Sequence, residues 1–490
     1  MKKGILGMLI VMESFFLLLS MLVAILNDES DWLCFLLTAL GTIAVGSFCI
    51  FLSRRDENKR MRRADNFLIV SLSWIIFSAI GMVPFLYLTD MDLSSAFFET
   101  MSGFTTTGAT CITEIDTLPK GLLFWRAITQ WIGGLGIVVF SFALIPVYEM
   151  KNSNIYSAEI TGLGLDKLRP KIGATARRVL LIYLVLTSAC AFCYWLGPMN
   201  LYDAVCHAFT TIATGGFSTH SDSIAYFRSG YIEYVASMFM VVSSINFSLY
   251  YYMTIRRNRV LFQNEEVRVF LSYIGIAVVV FMLLFYFAPV PESADPLLPK
   301  GFEESFRSAL FHVSSVATST GFSAQKFDYV AWGASFWMPT VVIMAIGSCA
   351  GSTAGGIKVI RIIICAKSAF NELIQMLHPR AVLGVRVNKQ IVPDHKVRQA
   401  LIFVFIYFLL VVIAMTCYSL LGADVDTALG SSISMLSNVG PATGATGPAC
   451  TFANVPASGK WLMSAYMLLG RLEIFTVLFL FMPNYWKDRK

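Results

Sequence analysis

Apolar residues along this chain come in long unbroken runs rather than at alternate positions or on one helical stripe. The runs fall near residues 4–26, 33–53, 67–89, 123–147, 176–198, 230–255, 268–288, 334–364, 396–422 and 460–485. About 20 apolar residues are what a helix needs to cross hydrocarbon, and barrel strands need about half that length. Only helices and closed barrels satisfy every backbone polar group inside a bilayer. The pattern therefore predicts an all-α polytopic membrane protein with ten spanning helices.

Composition agrees and closes off the soluble alternative. The 490 residues are 56% hydrophobic and 14% charged, with mean hydropathy +0.67, whereas soluble domains are about a quarter charged. The basic residues are not spread evenly. Arg54–Arg63, Lys151–Arg178, the group Arg256, Arg257 and Arg259, the stretch Lys358–Arg398 and the terminal KDRK all fall on one side of a ten-helix count. Lys and Arg mark the cytoplasmic side, so both termini are expected inside, and the net charge of +6 is mostly a topology signal. The first apolar run is too long for a signal-peptide core and is expected to be a retained helix. Ten Cys are scattered, and Cys190 and Cys193, inside one span, read as apolar packing.

The expected outer connections carry the candidate chemistry. Four of them hold a semi-apolar stretch followed by Thr, Ser and Gly: residues 95–110, 203–218, 308–323 and 427–442. In each, a residue of helix-capping type (Ser95, Asp203, Ser308 or Thr427) precedes an Ala, and a Gly follows that Ala by twelve positions. Each stretch reads as a short re-entrant helix leading into a triad: Thr106-Thr107-Gly108, Thr214-Gly215-Gly216, Ser319-Thr320-Gly321 and Asn438-Val439-Gly440. A cation leaving water needs its hydration oxygens replaced, and four backbone stretches presenting carbonyls around one axis do that. Gly permits the backbone turns involved, and the half-negative ends of four short helices favour a cation over an anion.

Small residues in membrane proteins often serve only close helix packing, which is the reading given to Gly133, Gly134 and Gly136. Four loops sharing one frame, at intervals of 108, 105 and 119 residues, instead report a repeated architecture. The expected organisation is two leading helices and a basic loop (1–66), then four helix–pore loop–helix repeats around a pseudo-fourfold pore. The repeats span 67–175, 176–267, 268–395 and 396–490.

Two features lie inside spans. The run Gly347-Ser348-Cys349-Ala350-Gly351-Ser352-Thr353-Ala354-Gly355-Gly356 should break its helix, since each Gly costs about 1 kcal/mol relative to Ala. Non-helical backbone at that depth lines water or is buried in protein, which places the run under the four loops; a packing-driven kink is the plainer reading. Arg471, near the middle of the last span, costs about 2.5–3.5 kcal/mol in a bilayer and needs water or a partner. Neutralisation by Glu473 or snorkelling are the plainer readings. Glu99 and His312 share a frame position and either tune the cation field or bond locally behind the loop. The five His have no spacing suited to a metal site.

These residues resemble the Trk/Ktr/HKT superfamily of K⁺ transporters, most closely its TrkH/TrkG pore-subunit branch, over nearly the whole chain. The resemblance implies K⁺ uptake across the bacterial inner membrane, with Gly108, Gly216, Gly321 and Gly440 at the four filter positions. A Ser at the first position is associated with Na⁺-permeable plant relatives, and this chain has Gly108. The resemblance also implies that the 347–356 run obstructs the pore as a gate, and that Arg471 faces the ion path as a barrier. It implies a homodimer and a cytosolic nucleotide-binding regulatory subunit of TrkA type, which the basic inner loops would meet. No cofactor is implied in this chain, K⁺ being the transported ion, and no nucleic-acid partner. The alternatives are a Na⁺-permeable or weakly selective transporter on the same fold and, from another class, a membrane-embedded enzyme. The second lacks a convergent acid, base or nucleophile group, and no P-loop or GxGxxG follows a strand.

Overall fold

The computed structural model describes residues 2–53, 63–149, 172–256, 260–287, 301–324, 329–330 and 332–483. The basic stretch 54–62, residues 150–171, Arg257, Arg259 and the terminal KDRK lie outside the described residues. Among the described residues, six helices are long and apolar enough to cross a membrane: Gly4–Leu26, Trp32–Ser53, Phe67–Leu88, Arg177–Trp195, Glu265–Phe287 and Asp394–Leu420. The Lys120–Glu149 helix covers the fourth apolar run. The chain is a multi-pass membrane protein.

Lipid as solvent explains the helix surfaces. Along Asp394–Leu420, Phe403, Tyr407, Val411 and Ala414 face the protein while Phe405, Phe408, Leu409 and Val412 are exposed. A helix apolar on every side is stable only where its outer face meets hydrocarbon. The first two helices pack on each other as a hairpin, and the first also packs on Lys120–Glu149 and on Arg63–Gly81.

Three expected spans are not straight. The 230–255 run forms two helices, Gly230–Ser243 and Phe247–Met253, bent by 88°. The last run also breaks: Ala457–Arg471 and Ile474–Phe481 meet at 114°, with Glu473 in the left-handed region at φ 57°. Arg471 is therefore the last residue of its helix and not mid-helix. The 334–364 run is the third. Its helix ends at Ile346, the chain runs without helix through the glycine-rich stretch, and a new helix spans Val359–Leu377. A two-stranded hairpin, Arg386–Val387 with Gln390–Ile391, follows it and was not anticipated.

Four short helices sit inside the bundle: Leu93–Phe104, Leu201–Ile212, Phe302–Ala317 and Val425–Ser437. At about 1.5 Å rise per residue none spans a bilayer. Their caps lie earlier than the sequence suggested. Asp92, Asn200, Gly301 and Asp424 occupy the N-cap positions, leaving Ser95, Asp203, Ser308 and Thr427 inside the helices. The reason is visible in the first of them, where the Asp92 carboxylate accepts the Ser94 and Ser95 amides and both hydroxyls.

Candidate functional site

Each short helix ends in the same backbone turn. The residue two before each frame glycine is left-handed: Thr106 at φ 52°, Thr214 at 53°, Ser319 at 50° and Asn438 at 54°. The glycines follow at φ 83°, 78°, 82° and 99° for Gly108, Gly216, Gly321 and Gly440. Side chains other than Gly seldom adopt this region, and four non-glycine residues held there are a local cost that the surrounding structure must offset.

The glycines are also needed because the four loops touch. A Cβ on Gly108 would overlap the carbonyl oxygen of Gly215, and one on Gly216 that of Thr320. A Cβ on Gly321 would overlap the oxygen of Val439, and one on Gly440 that of Thr107. The contacts run from loop one to two, two to three, three to four and four back to one. All twelve triad residues are thus brought into one closed ring. Hydroxyls brace it: Thr105 bonds Thr107 at 2.8 Å, and Thr318 bonds Thr320 at 2.7 Å in the equivalent place. In loop four, Asn438 Nδ2 donates to the Thr107 hydroxyl at 3.0 Å and to the Met467 carbonyl at 2.9 Å.

The stretch 347–358 packs against these loops. Thr353 meets the Thr214 hydroxyl at 3.2 Å, the Gly355 amide donates to Ser319 Oγ at 2.7 Å, and a Cβ on Gly355 would overlap the Ser437 carbonyl. Glycine at 355 is therefore a condition of close approach. The stretch also explains the bend at 244–246. Cys349 donates its amide to Ser244 O at 3.3 Å, and Phe247 donates to Gly351 O at 3.2 Å, so backbone groups released by the broken helix are satisfied by the loop. Glu266, buried at the start of its span, accepts the Ala350 amide at 2.7 Å.

Arg471 closes the arrangement and is 3% exposed. Its guanidinium donates to the Thr353 carbonyl and, at 3.0 Å, to the Gly133 carbonyl. Neither plainer reading of Arg471 matches this geometry, since Glu473 pairs instead with Arg361 at 2.5 Å and the side chain does not reach solvent. Gly133 and Gly134 do serve packing. A Cβ on Gly133 would overlap Phe104 O, and one on Gly134 would press on Ala213, so the pair lets Lys120–Glu149 approach the ends of two short helices.

Glu99 and His312 resolve to local bonding. Glu99 pairs with Arg126 at 2.8 Å and accepts from Thr110 and the Cys111 amide, while His312 bonds the Thr340 hydroxyl at 3.1 Å. His207, Arg126, Gln130 and Glu266 were not singled out from the sequence. His207 was legible, standing three positions after the frame Ala like Glu99 and His312; the other three lie on neighbouring helices with no repeated position to flag them.

Residues 11–488 match the TrkH family, described as cation transport protein. The potassium uptake protein TrkH of Salmonella typhimurium is 35% identical, covering 99% of this chain and 98% of its own length. TrkG of Escherichia coli is 33% identical, covering 98% and 97%. The crystal structure of the potassium transporter TrkH from Vibrio parahaemolyticus superposes with a TM-score of 0.87 at 34% identity, covering 99% and 98%. With a closed ring of four glycine loops at its centre and this likeness along its whole length, the chain belongs to the TrkH family of cation transport proteins.

Proposed function

We propose that this chain takes up K⁺ through a selectivity filter formed by the twelve triad residues, Thr106 to Gly108, Thr214 to Gly216, Ser319 to Gly321 and Asn438 to Gly440. The observation that carries the reading is the ring itself, in which four left-handed turns bring carbonyl-bearing backbone together around one axis. Carbonyl oxygens replace the hydration shell of a cation, and no titrating group is needed. The relatives named above are Trk system potassium uptake proteins, which favours K⁺ among monovalent cations. The boundaries 1–66, 67–175, 176–267, 268–395 and 396–490 then become two leading helices and four pore repeats.

Residues 347–356 act as the gate and Arg471 as a positive barrier below the filter. Their bonds to each other and to loops two and three support this, because displacing the stretch requires breaking contacts to several repeats at once. On this reading the chain works in the bacterial inner membrane with cytoplasmic termini, as a homodimer regulated by a TrkA-type cytosolic subunit. A membrane potential supplies about 2.3 kcal/mol per charge per 100 mV, so uptake needs no second coupled ion.

The test is flux into liposomes holding the purified chain, comparing K⁺, Rb⁺, Na⁺ and Li⁺ under an imposed potential without a pH gradient. K⁺ and Rb⁺ uptake with little Na⁺ is expected. Equal Na⁺ flux overturns the K⁺ reading, and flux only after nucleotide and the cytosolic subunit are added assigns opening to that partner.

A further inference from the structure

The second triad departs from the others in having Gly215 where loops one, three and four have Thr107, Thr320 and Val439. The structure supplies a reason. Gln130, fully buried on the Lys120–Glu149 helix, donates from Nε2 to the Gly215 carbonyl at 2.7 Å and accepts the Phe217 amide on Oε1 at 3.0 Å. Those are the two peptide groups that flank Gly216. One side-chain amide thus holds both sides of the left-handed glycine, and a Cβ on Gly215 would overlap it. Among the described residues, no other loop has a side chain bonded to both peptides beside its frame glycine.

Gln130 is one helical turn from Arg126, which extends the hold. Arg126 Nε pairs with Glu99 at 2.8 Å, Nη1 donates to the Ser218 carbonyl at 2.8 Å, and the guanidinium lies 3.7 Å from the Phe217 ring centre. Glu99 in turn accepts the Thr110 hydroxyl and the Cys111 amide just beyond Gly108. On the other side, His207 donates from Nδ1 to the Asp203 carbonyl, so its Nε2 accepts the Ser218 hydroxyl at 2.9 Å. A continuous buried chain of polar bonds therefore joins the backs of loops one and two.

We infer that Gln130, backed by the Arg126–Glu99 pair, is a positioning residue that determines ion discrimination by fixing the peptides on either side of Gly216. The inference rests on the reading of the four loops as the filter. A filter whose carbonyls are held from behind resists collapsing onto the smaller Na⁺, and loosening one of four segments relaxes that resistance. Loop three offers a comparison, since buried Thr340 bonds His312 and touches no peptide beside Gly321.

The experiment measures the K⁺/Na⁺ permeability ratio, total flux and thermal unfolding of reconstituted full chain. Gln130→Met keeps the volume and removes both bonds, so a fall in the ratio of about fivefold or more is expected, with total cation flux retained. Glu99→Gln removes the charge opposite Arg126 with little change of shape, and a smaller fall in the same direction is expected. Thr340→Val should keep the wild-type ratio. If Gln130→Met does not reconstitute, Glu99→Gln carries the test. Wild-type ratios in the reconstituted Gln130 and Glu99 variants, beside a lowered ratio in Gly216→Ser, overturn the inference and leave the filter reading standing. An equal fall in Thr340→Val overturns it as a mere packing effect. An unchanged ratio in Gly216→Ser overturns the filter reading and this inference with it.

Discussion

The ring of glycine loops and the layer beneath it are built on opposite plans. In the ring, four segments contribute the same backbone turn, and each contact is repeated around the axis with different side chains. Below it, among the described residues, nothing repeats. There one irregular stretch, one arginine and one buried glutamate make contacts without a described counterpart in the other repeats. A site that must surround an ion needs equivalent oxygens on every side, and backbone supplies them whatever the side chain. On the proposed reading, the layer that opens or closes needs a contact that can be broken once, and a single charged side chain would supply it.

Breaking the unrepeated layer should give the largest effect. A unit charge about 6 Å from a permeating cation opposes it by about 3 kcal/mol at an effective dielectric of 20. Arg471→Ala is expected to raise basal K⁺ flux by up to about a hundredfold, since it removes that charge and also frees the Thr353 carbonyl. Flux at the wild-type level with normal expression removes Arg471 from the barrier role. Disturbing the repeated layer should alter selectivity before rate. Gly216→Ser puts a side chain on a residue at φ 78°, against the Thr320 carbonyl. A fall of about tenfold in K⁺/Na⁺ permeability is expected, a change of about 1.4 kcal/mol in discrimination, read from bi-ionic reversal potentials.

The same contrast decides what the sequence could tell. The ring was legible because repetition shows in one chain without its fold: the twelve-residue interval from Ala96, Ala204, Ala309 and Ala428 to four glycines survives side-chain drift. The break at Gly347 was legible because glycine acts locally. The 88° and 114° bends were not, because Ser244–Asn246 and Leu472–Glu473 are ordinary within an apolar run. Their backbone is released by partners far away in sequence, such as Cys349 and Gly351. Gln130 and Arg126 were hidden for the same reason, as polar residues whose purpose depends on which loop the helix lies behind. The caps were misplaced because Ser95, Asp203 and Thr427 are of capping type, yet Asp92, Asn200 and Asp424 precede them by three positions at the N-cap, where Asp92 and Asn200 accept backbone amides on their side chains.

Between these extremes stands Glu266, which touches the irregular stretch through one bond. Removing the acceptor for the Ala350 amide leaves a buried donor unpaired at a cost of about 1–3 kcal/mol, part of which loosens the stretch. Glu266→Ala is expected to raise basal flux about threefold to tenfold, well short of Arg471→Ala, while leaving the permeability ratio unchanged. A changed ratio would mean that the two layers are not separable.

The smallest effect sits on the outer surface, where His220 links the connections after loops one and two. Its Nδ1 meets Asp116 at 2.7 Å, its Nε2 meets Asp203 at 3.3 Å, and its ring stacks on Tyr226 at 3.5 Å. Partial burial pulls the imidazole down, but the two carboxylates outweigh it and leave it above its ordinary value. A group raised in the folded state contributes stability that is fully present below its unfolded value of about 6.5 and is lost as the pH rises through the folded one. The purified chain should therefore unfold about 1–3 °C lower at alkaline pH than at pH 6, and His220→Gln should flatten that dependence. Neither change should alter the permeability ratio, because the linkage lies outside the ring; a ratio that follows the His220 titration would join the outer surface to the filter and dissolve the separation of layers.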